Sequence, residues 1–259
     1  MKKTSLLLSI LLFVFFLSSC REETVIDSAA ALAQVRVGAV DGTAGAVYAQ
    51  KCGSEFVTLY PDMDSAAAAL ISGEIDCIVS ELYHAREAVS SYDEITTTEE
   101  EIIEELEFCA AVRADDFDTL AVAEVVTSEA SKDTGFTKLC RGFSENLGAE
   151  RDAFITAPQI GQSGTLVLGT CADYPPYAYE ASDGSIAGIS IELAKRFAAK
   201  RDFTLEVKVY GSNSELTNAL KNSEIDLYFA QLPVSAAGNL EYSSVCYSFE
   251  LRVLVPDRG

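Results

Sequence analysis

The sequence predicts an α/β protein built as two lobes that face each other across a cleft. Three observations lead there. The chain has 259 residues, near the upper limit for one compact core, so two lobes are the better prior. Hydrophobic residues make up 49% of it, with 6 Pro and 16 Gly. That is enough apolar material for a packed interior and unlike the composition of disordered or collagen-like chains. Finally, the order strand, helix, strand, helix, strand occurs twice. Each copy contains the same step, a helix followed by Glu-Ile-Asp and a strand, at Glu74-Ile75-Asp76 and at Glu224-Ile225-Asp226. Such alternation calls for a parallel sheet covered on both faces.

Residues 1–19 read as an address. Lys2 and Lys3 form a positive start, and Leu6 to Leu17 is an apolar run too short for a comfortable membrane span. The run ends in Leu17-Ser18-Ser19-Cys20, which resembles a bacterial lipobox. That resemblance implies cleavage before Cys20, lipidation of its thiol, and a protein held at the outside of a bacterial membrane. Residues 20–33 then read as the tether. Removing residues 1–19 takes away two lysines and moves the formal net charge from −21 to −23. A field of that sign repels phosphate backbones, so nucleic acid is not expected as a partner.

The first lobe-like unit spans residues 34–105. Val35-Arg36-Val37-Gly38 begins a strand, and Asp41-Gly42-Thr43-Ala44-Gly45 turns into a helix over Ala46 to Gln50. Ser65 to Ser72 is rich in strong helix formers, with Ser65 as its expected N-cap. Gly73 closes that helix, and Cys77-Ile78-Val79 reads as a buried strand. Glu99 to Glu107 is an acidic run expected as a solvated helix face.

The second unit spans residues 106–259: return strand and helices at 106–146, a connecting loop at 147–164, and a strand–helix core at 165–259. Pro158, Gly161 and Gly164 mark the loop. Leu166 to Gly169 is a strand, Ile191 to Phe197 an amphipathic helix, Leu205 to Tyr210 an alternating strand, and Ser214 to Leu220 a helix.

Two such units leave a crevice at the carboxyl ends of their strands, where the loops meet. The residues placed there are Asp41 to Gly45, Ser80 to Tyr83, Thr170 to Tyr177 and Ala230 to Ser235. Within the segment Leu166 to Gly188, the strand, Gly169-Thr170, Tyr174-Pro175-Pro176-Tyr177, Asp183-Gly184 and Gly188 resemble the opening of the extracellular solute-binding proteins of family 3, the amino-acid receptors of ABC importers. Glu224 to Phe229 and Glu241 to Val255 resemble that family's next landmarks. Val35 to Gly45, Gly73 to Glu81, Ala111 to Asp115 and Asp133 to Phe143 resemble the family's second lobe. The likeness therefore runs in transposed order. It implies a circularly permuted periplasmic-binding-protein-like (type II) fold, with one covalent crossing between the lobes near Glu105 to Cys109.

The resemblance also implies a set of ligand contacts. Tyr174 stands where the family packs an aromatic over its ligand; the alternative is scaffolding against Pro175 and Pro176. Glu81 stands where the family has an Asp that pairs with the ligand ammonium, a role that suits a carboxylate in a dehydrated crevice. Thr43 and Gly45 stand at a helix N-terminus, where free N–H groups favour a carboxylate. Cys171 replaces the Asp after the family's first Gly-Thr. The family's Arg, which clamps the ligand carboxylate, has no counterpart between Pro233 and Asn239. Gln231, just before that stretch, with Ser235 and Asn239 are the polar groups left, suited to a neutral polar ligand, so an ordinary amino acid is an imperfect fit.

Other chemistries find little support. There is one His, His84, expected as a surface or satisfied group, so neither a multi-histidine metal site nor a His-based catalytic set is expected. Phosphate-cradling glycine motifs are absent, and no cofactor is expected. Six cysteines besides Cys20 could pair outside the cytoplasm or stay as buried thiols. The sequence thus predicts a non-enzymatic, lipid-anchored receptor that gives a small polar or cationic, amino-acid-like solute to an ABC transporter permease. A periplasmic dehydratase-like enzyme using Glu81, or a surface lipoprotein with a non-binding cleft, are the other readings.

Overall fold

The computed structural model describes residue 26 and residues 29–98, 105–232, 239–245 and 247–258. The signal peptide, Cys20, most of the tether, residues 99–104, Ser235 and Cys246 lie outside the described residues. The first half contains α1 (Ala29–Leu32), β1 (Val37–Val40), α2 (Ala44–Lys51), β2 (Val57–Tyr60), α3 (Met63–Ile71), β3 (Cys77–Glu81), α4 (Leu82–Ser91) and β4 (Ile95–Thr97). Strand β5 (Glu105–Arg113) leads away from it into α5 (Phe117–Ala130), α6 (Thr134–Glu145) and a 3-10 turn at Gly148–Phe154. The second half continues with β6 (Gly164–Thr170), β7 (Asp173–Tyr174), β8 (Ala178–Glu180), β9 (Ile186–Ala187), α7 (Ile189–Lys200), β10 (Phe203–Val209), α8 (Asn213–Lys221), β11 (Tyr228–Leu232), β12 (Leu240–Tyr242) and β13 (Tyr247–Pro256).

Each half has the parallel core that the repeated pattern predicts. In the first, β1 runs parallel to β2 and β3. In the second, β6 runs parallel to β10 and is bridged by Leu168 to Leu227 at the approach to β11. Side chains alternate across each sheet, so each half buries two apolar clusters. Val37, Ala39, Cys77 and Val79 pack on the α2 side, while Ile78 packs with Ala66, Leu70 and Ala85 from α3 and α4. Leu166 and Leu168 pack with Leu193 and Phe197 of α7, while Leu216 and Leu220 of α8 cover the opposite face. The two-lobed α/β fold is the one the sequence predicts.

The Glu-Ile-Asp repeat has a common structural task. Asp76 Oδ2 accepts the Arg36 N–H at 2.8 Å, and the Asp76 N–H donates to Arg36 O at 2.9 Å. In the other half Asp226 Oδ2 accepts the Val167 N–H at 2.8 Å, and the Asp226 N–H donates to Val167 O, also at 2.8 Å. The preceding isoleucines occupy the space left by glycines on the adjoining strand. A Cβ on Gly38 would meet Ile75 Cδ1 at 2.4 Å, and one on Gly169 would meet Ile225 Cδ1 at 2.4 Å. The motif is therefore a clasp that fixes the register of one strand against its neighbour, and the glycine leaves the room that the isoleucine tip fills.

Three local expectations change. The N-cap of α3 is Asp62, whose side chain accepts the Ser65 N–H, so the helix starts two residues before Ser65. Asp competes well for that position, and an oxygen placed three residues ahead reaches the free N–H. Glu105 and Glu107 belong to strand β5, where the neighbouring strands supply hydrogen bonds that a lone acidic helix would lack.

The third change concerns how the halves are joined. The division that assigns all of residues 165–259 to the second half, with a single crossing near Glu105 to Cys109, does not describe β13. Its first part pairs antiparallel with β5, Tyr247 opposite Phe108 and Glu250 opposite Glu105. Its second part pairs with β3, Leu251 opposite Glu81 and Leu254 opposite Ile78, and Leu251 and Val253 are buried in the first half's core. Two antiparallel strands, β5 and β13, thus cross between the halves. The alternating Leu251-Arg252-Val253-Leu254 has its apolar partners across the gap, and burying them there is favourable.

Replacing Asp226 by Ala leaves the Val167 N–H without its acceptor at a partly buried site. We expect a loss of about 1–3 kcal/mol, read as a lower urea midpoint with an unchanged slope, whereas Asp226→Asn, which keeps an acceptor, should lose less.

Candidate ligand-binding site

The halves enclose a cavity of about 960 Å³. The first half contributes the turn Asp41 to Ala44, Asp62, Ser80 and His84 to its wall. The second contributes Thr170, Cys171, Asp173, Tyr174, Tyr177 and the start of α8, with Tyr228 and Phe229 of β11. Asp41 to Ala44, Asp62, Ser80, Thr170 and Cys171 lie at or just after the carboxyl ends of β1, β2, β3 and β6, where the parallel sheets expose their loops, whereas Tyr228 and Phe229 begin β11.

Glu81 is the centre of this arrangement. It ends β3 and is 1% exposed. Its Oε1 accepts N–H donors from Ala44 at 2.7 Å and Gly45 at 3.3 Å, the first two residues of α2. The same oxygen accepts the Tyr174 hydroxyl from the other half. Its Oε2 accepts no hydrogen bond and stands 3.5 Å from His84 Nδ1. Burial alone would push the Glu81 carboxyl up; proximity to His84 and the Tyr174 hydroxyl outweigh it, and the carboxyl lies below its ordinary value.

Local sequence explains why the carboxylate can sit there. A Cβ on Gly45 would meet Val79 O at 2.4 Å, so glycine lets α2 approach the end of β3. Thr43 is the N-cap: its hydroxyl accepts the Ala46 N–H at 3.2 Å and donates to Val40 O at 2.7 Å. Among the first N–H groups of α2, those of Ala44, Gly45 and Ala46 are therefore all taken by side chains of the protein itself. The site expected at Thr43 and Gly45 for a ligand carboxylate holds Glu81 instead. Gly45 itself does not line the cavity, because its N–H faces Glu81.

The structure separates the other predicted positions. Tyr174 lines the cavity, stacks on Tyr177 with ring centres 5.4 Å apart, and meets the His84 ring edge-on at 5.3 Å. Cys171 lines the cavity as a free thiol, its pKa pushed up to about 11 by burial. Gln231 lies in β11 opposite Phe108 of β5; its side chain and Ser235 fall outside the described residues. Cys52, Cys77 and Cys140 are likewise free thiols.

Sequence reasoning placed His84 away from the site. It lies one helical turn after Glu81, at the i+3 spacing that puts two side chains on one face, and that spacing was the available signal. The neighbouring Tyr83 also crosses between halves. The Arg151 guanidinium lies 5.1 Å from the centre of its ring and 4.2 Å from that of Tyr179. Arg86 of the same helix donates to Ser144 O at 3.4 Å. Helix α4 thus docks against the second half through three successive contacts around Glu81.

The fold is a two-lobed α/β one with a cavity walled by both halves. Residues 166–257 match the model of the bacterial extracellular solute-binding proteins, family 3. The chain is 35% identical over 85 residues to the arginine-binding extracellular protein ArtP of Bacillus subtilis (strain 168), a stretch covering 32% of each. The chain thus spans about a third of that relative. Among solved structures it is similar to an ancestral cationic amino acid solute-binding protein (14% identity, 87% of this chain and 82% of the other, TM-score 0.44). It is also similar to a putative ABC transporter binding component from Wolinella succinogenes DSM 1740 complexed with lysine (14%, 87% and 83%, TM-score 0.42).

Two outcomes test the Glu81 network. Tyr174→Phe removes one hydrogen bond to a charged group and should cost about 1–3 kcal/mol in chemical unfolding. A depressed carboxyl stabilises the fold fully above its unfolded value of about 4.3, and that contribution fades as pH falls through the lower folded value. The difference in melting temperature between the native chain and Glu81→Gln should therefore shrink as pH is lowered below about 4.

Proposed function

We propose that this chain is an extracytoplasmic solute-binding protein, anchored through a lipid on Cys20, that captures a small polar or cationic solute of amino-acid type and delivers it to an ABC transporter permease. The observation that carries the reading is the cavity of about 960 Å³ walled by both halves, in a chain whose segment 166–257 matches a solute-binding family. That volume lies within the range of small-molecule sites. The two crossing strands β5 and β13 make the kind of paired hinge about which such halves open and close.

In this reading Tyr174 offers its ring face to the solute, and Glu81, through Oε2, offers the charge for a ligand ammonium. Thr43 and Cys171 supply polar and soft wall, Gly45 lets α2 approach Glu81, and Gln231 and Ser235 complete the polar side. The transposed order of the lobes is supported by the position of the family match. The family match falls in the C-terminal part of the chain, residues 166–257, where the segment resembling the family's opening lies. A dehydratase-like role is less favoured, because a carboxyl held below its ordinary value is a weak base and a poor proton donor near neutral pH.

The full-length protein in non-ionic detergent should show a ligand-dependent rise in melting temperature against a panel of amino acids, amines, peptides and sugars. A ligand at a hundred times its Kd stabilises by about 2.7 kcal/mol; no rise with any of them would overturn the solute-capture role. Cys20→Ser should move the protein from the membrane to the soluble fraction of the producing bacterium; retention at the membrane would refute the lipid anchor.

A further inference from the structure

We infer that His84 is the side chain that meets the solute: its Nε2 accepts a hydrogen bond from an ammonium of the solute, while Glu81 acts behind it as a positioning residue. The inference rests on the solute-capture role and names the contact through which the Glu81 charge reaches the cavity.

Glu81 is 1% exposed and does not line the cavity, whereas His84, one helical turn later, does. Both carboxylate oxygens are engaged within the protein. Oε1 accepts from the Ala44 and Gly45 N–H groups and the Tyr174 hydroxyl, and Oε2 faces His84 Nδ1 at 3.5 Å. An ionised carboxylate can only accept, and the Glu81 carboxyl lies below its ordinary value, so the ring proton stands on Nδ1. The partner of one imidazole nitrogen sets the role of the other. Nε2 is thereby an acceptor, and it makes no hydrogen bond among the described residues.

The surroundings hold this ring in place and favour a cation. Tyr83 and Tyr174 meet it edge-on, with ring centres 5.6 and 5.3 Å away. The His84 side chain is 17% exposed. Asp41, Asp62 and Asp173, the carboxylates of the cavity wall, are exposed residues, where water competes for a solute's donors. The shielded contact therefore discriminates more strongly than those do. A cation at Nε2 has the Glu81 charge behind the ring, and Tyr174 and Tyr177 in the same wall.

The chain has one His, so full-length protein made without a histidine tag and isotope-labelled in its histidine nitrogens gives a single pair of ring signals by nuclear magnetic resonance. In mildly alkaline buffer we expect the proton on Nδ1 before any solute is added. Lysine and arginine, as ammonium-bearing probes, should on saturation move the Nε2 signal while Nδ1 keeps its proton. A proton on Nε2 in the unliganded protein, or an Nε2 signal unmoved at saturation, would overturn the inference and leave solute capture intact. Binding of other solutes of the panel but of neither probe would do the same; no binding by any of them would overturn both.

Calorimetric titration of variants with the same two probes separates contact from scaffold. His84→Gln places an amide oxygen where Nε2 stands, whereas His84→Asn keeps a donor near Nδ1 and withdraws the group that faces the cavity. His84→Asn should bind about tenfold or more weakly than His84→Gln. Equal affinities or the reverse order, with both variants confirmed folded by their unfolding transitions, would refute His84 as the contact. Glu81→Gln should weaken binding in the native chain but not further in His84→Asn; an equal loss in both would refute the action of Glu81 through His84.

Discussion

A buried carboxylate organises the meeting of the two halves. A charge with 1% exposure is tolerated only if its oxygens are met by donors or opposite charge. Glu81 meets the requirement by drawing together three separate parts of the chain: the start of α2, the following helix through His84, and Tyr174 from the other half. Each contact constrains the next. Gly45 must be glycine for α2 to come close enough, Thr43 must cap the N–H that Glu81 does not reach, and β7 must present the Tyr174 hydroxyl to the same oxygen. Removal of the carboxylate would leave two helix N–H groups and a phenol without a common acceptor.

The same logic of satisfying backbone groups with a side chain occurs twice in the sheets. Asp76 and Asp226 each take the N–H of a neighbouring strand while giving their own N–H to that residue's carbonyl. The repeat is therefore an architectural one, and the chain uses it once per half. The halves differ in the strand beyond the clasp. In the first half that strand continues to Glu81, whereas in the second it continues into β11 and its pairing with β5.

Joining the halves by two adjacent antiparallel strands has a mechanical consequence. Backbone hydrogen bonds between β5 and β13 hold the strands side by side at the crossing, so rotation of one half against the other is confined to the dihedral changes a strand pair can absorb. Besides that joint, α4 meets the second half through contacts of Tyr83 with Arg151, His84 with Tyr174 and Arg86 with Ser144. They are few and polar compared with the two apolar clusters inside each half, so opening would sacrifice hydrogen bonds and ring contacts while leaving the cores intact.

The sequence by itself determined the pattern of elements, because hydrophobic periodicity and the Glu-Ile-Asp clasp are local properties written within about ten residues. It also put Tyr174, Thr43 and Cys171, which line the cavity, at positions after strands. It missed the Asp62 cap by taking a helix former's neighbour for the boundary, and it set His84 aside because a lone histidine carries no partner in its own line of text. Only the tertiary structure decided that the last strand returns to the first half and that Glu81 fills the α2 N-terminus. Both depend on which distant donors and apolar faces come within a few ångströms, and that distance is fixed by packing between halves, which no local spacing encodes.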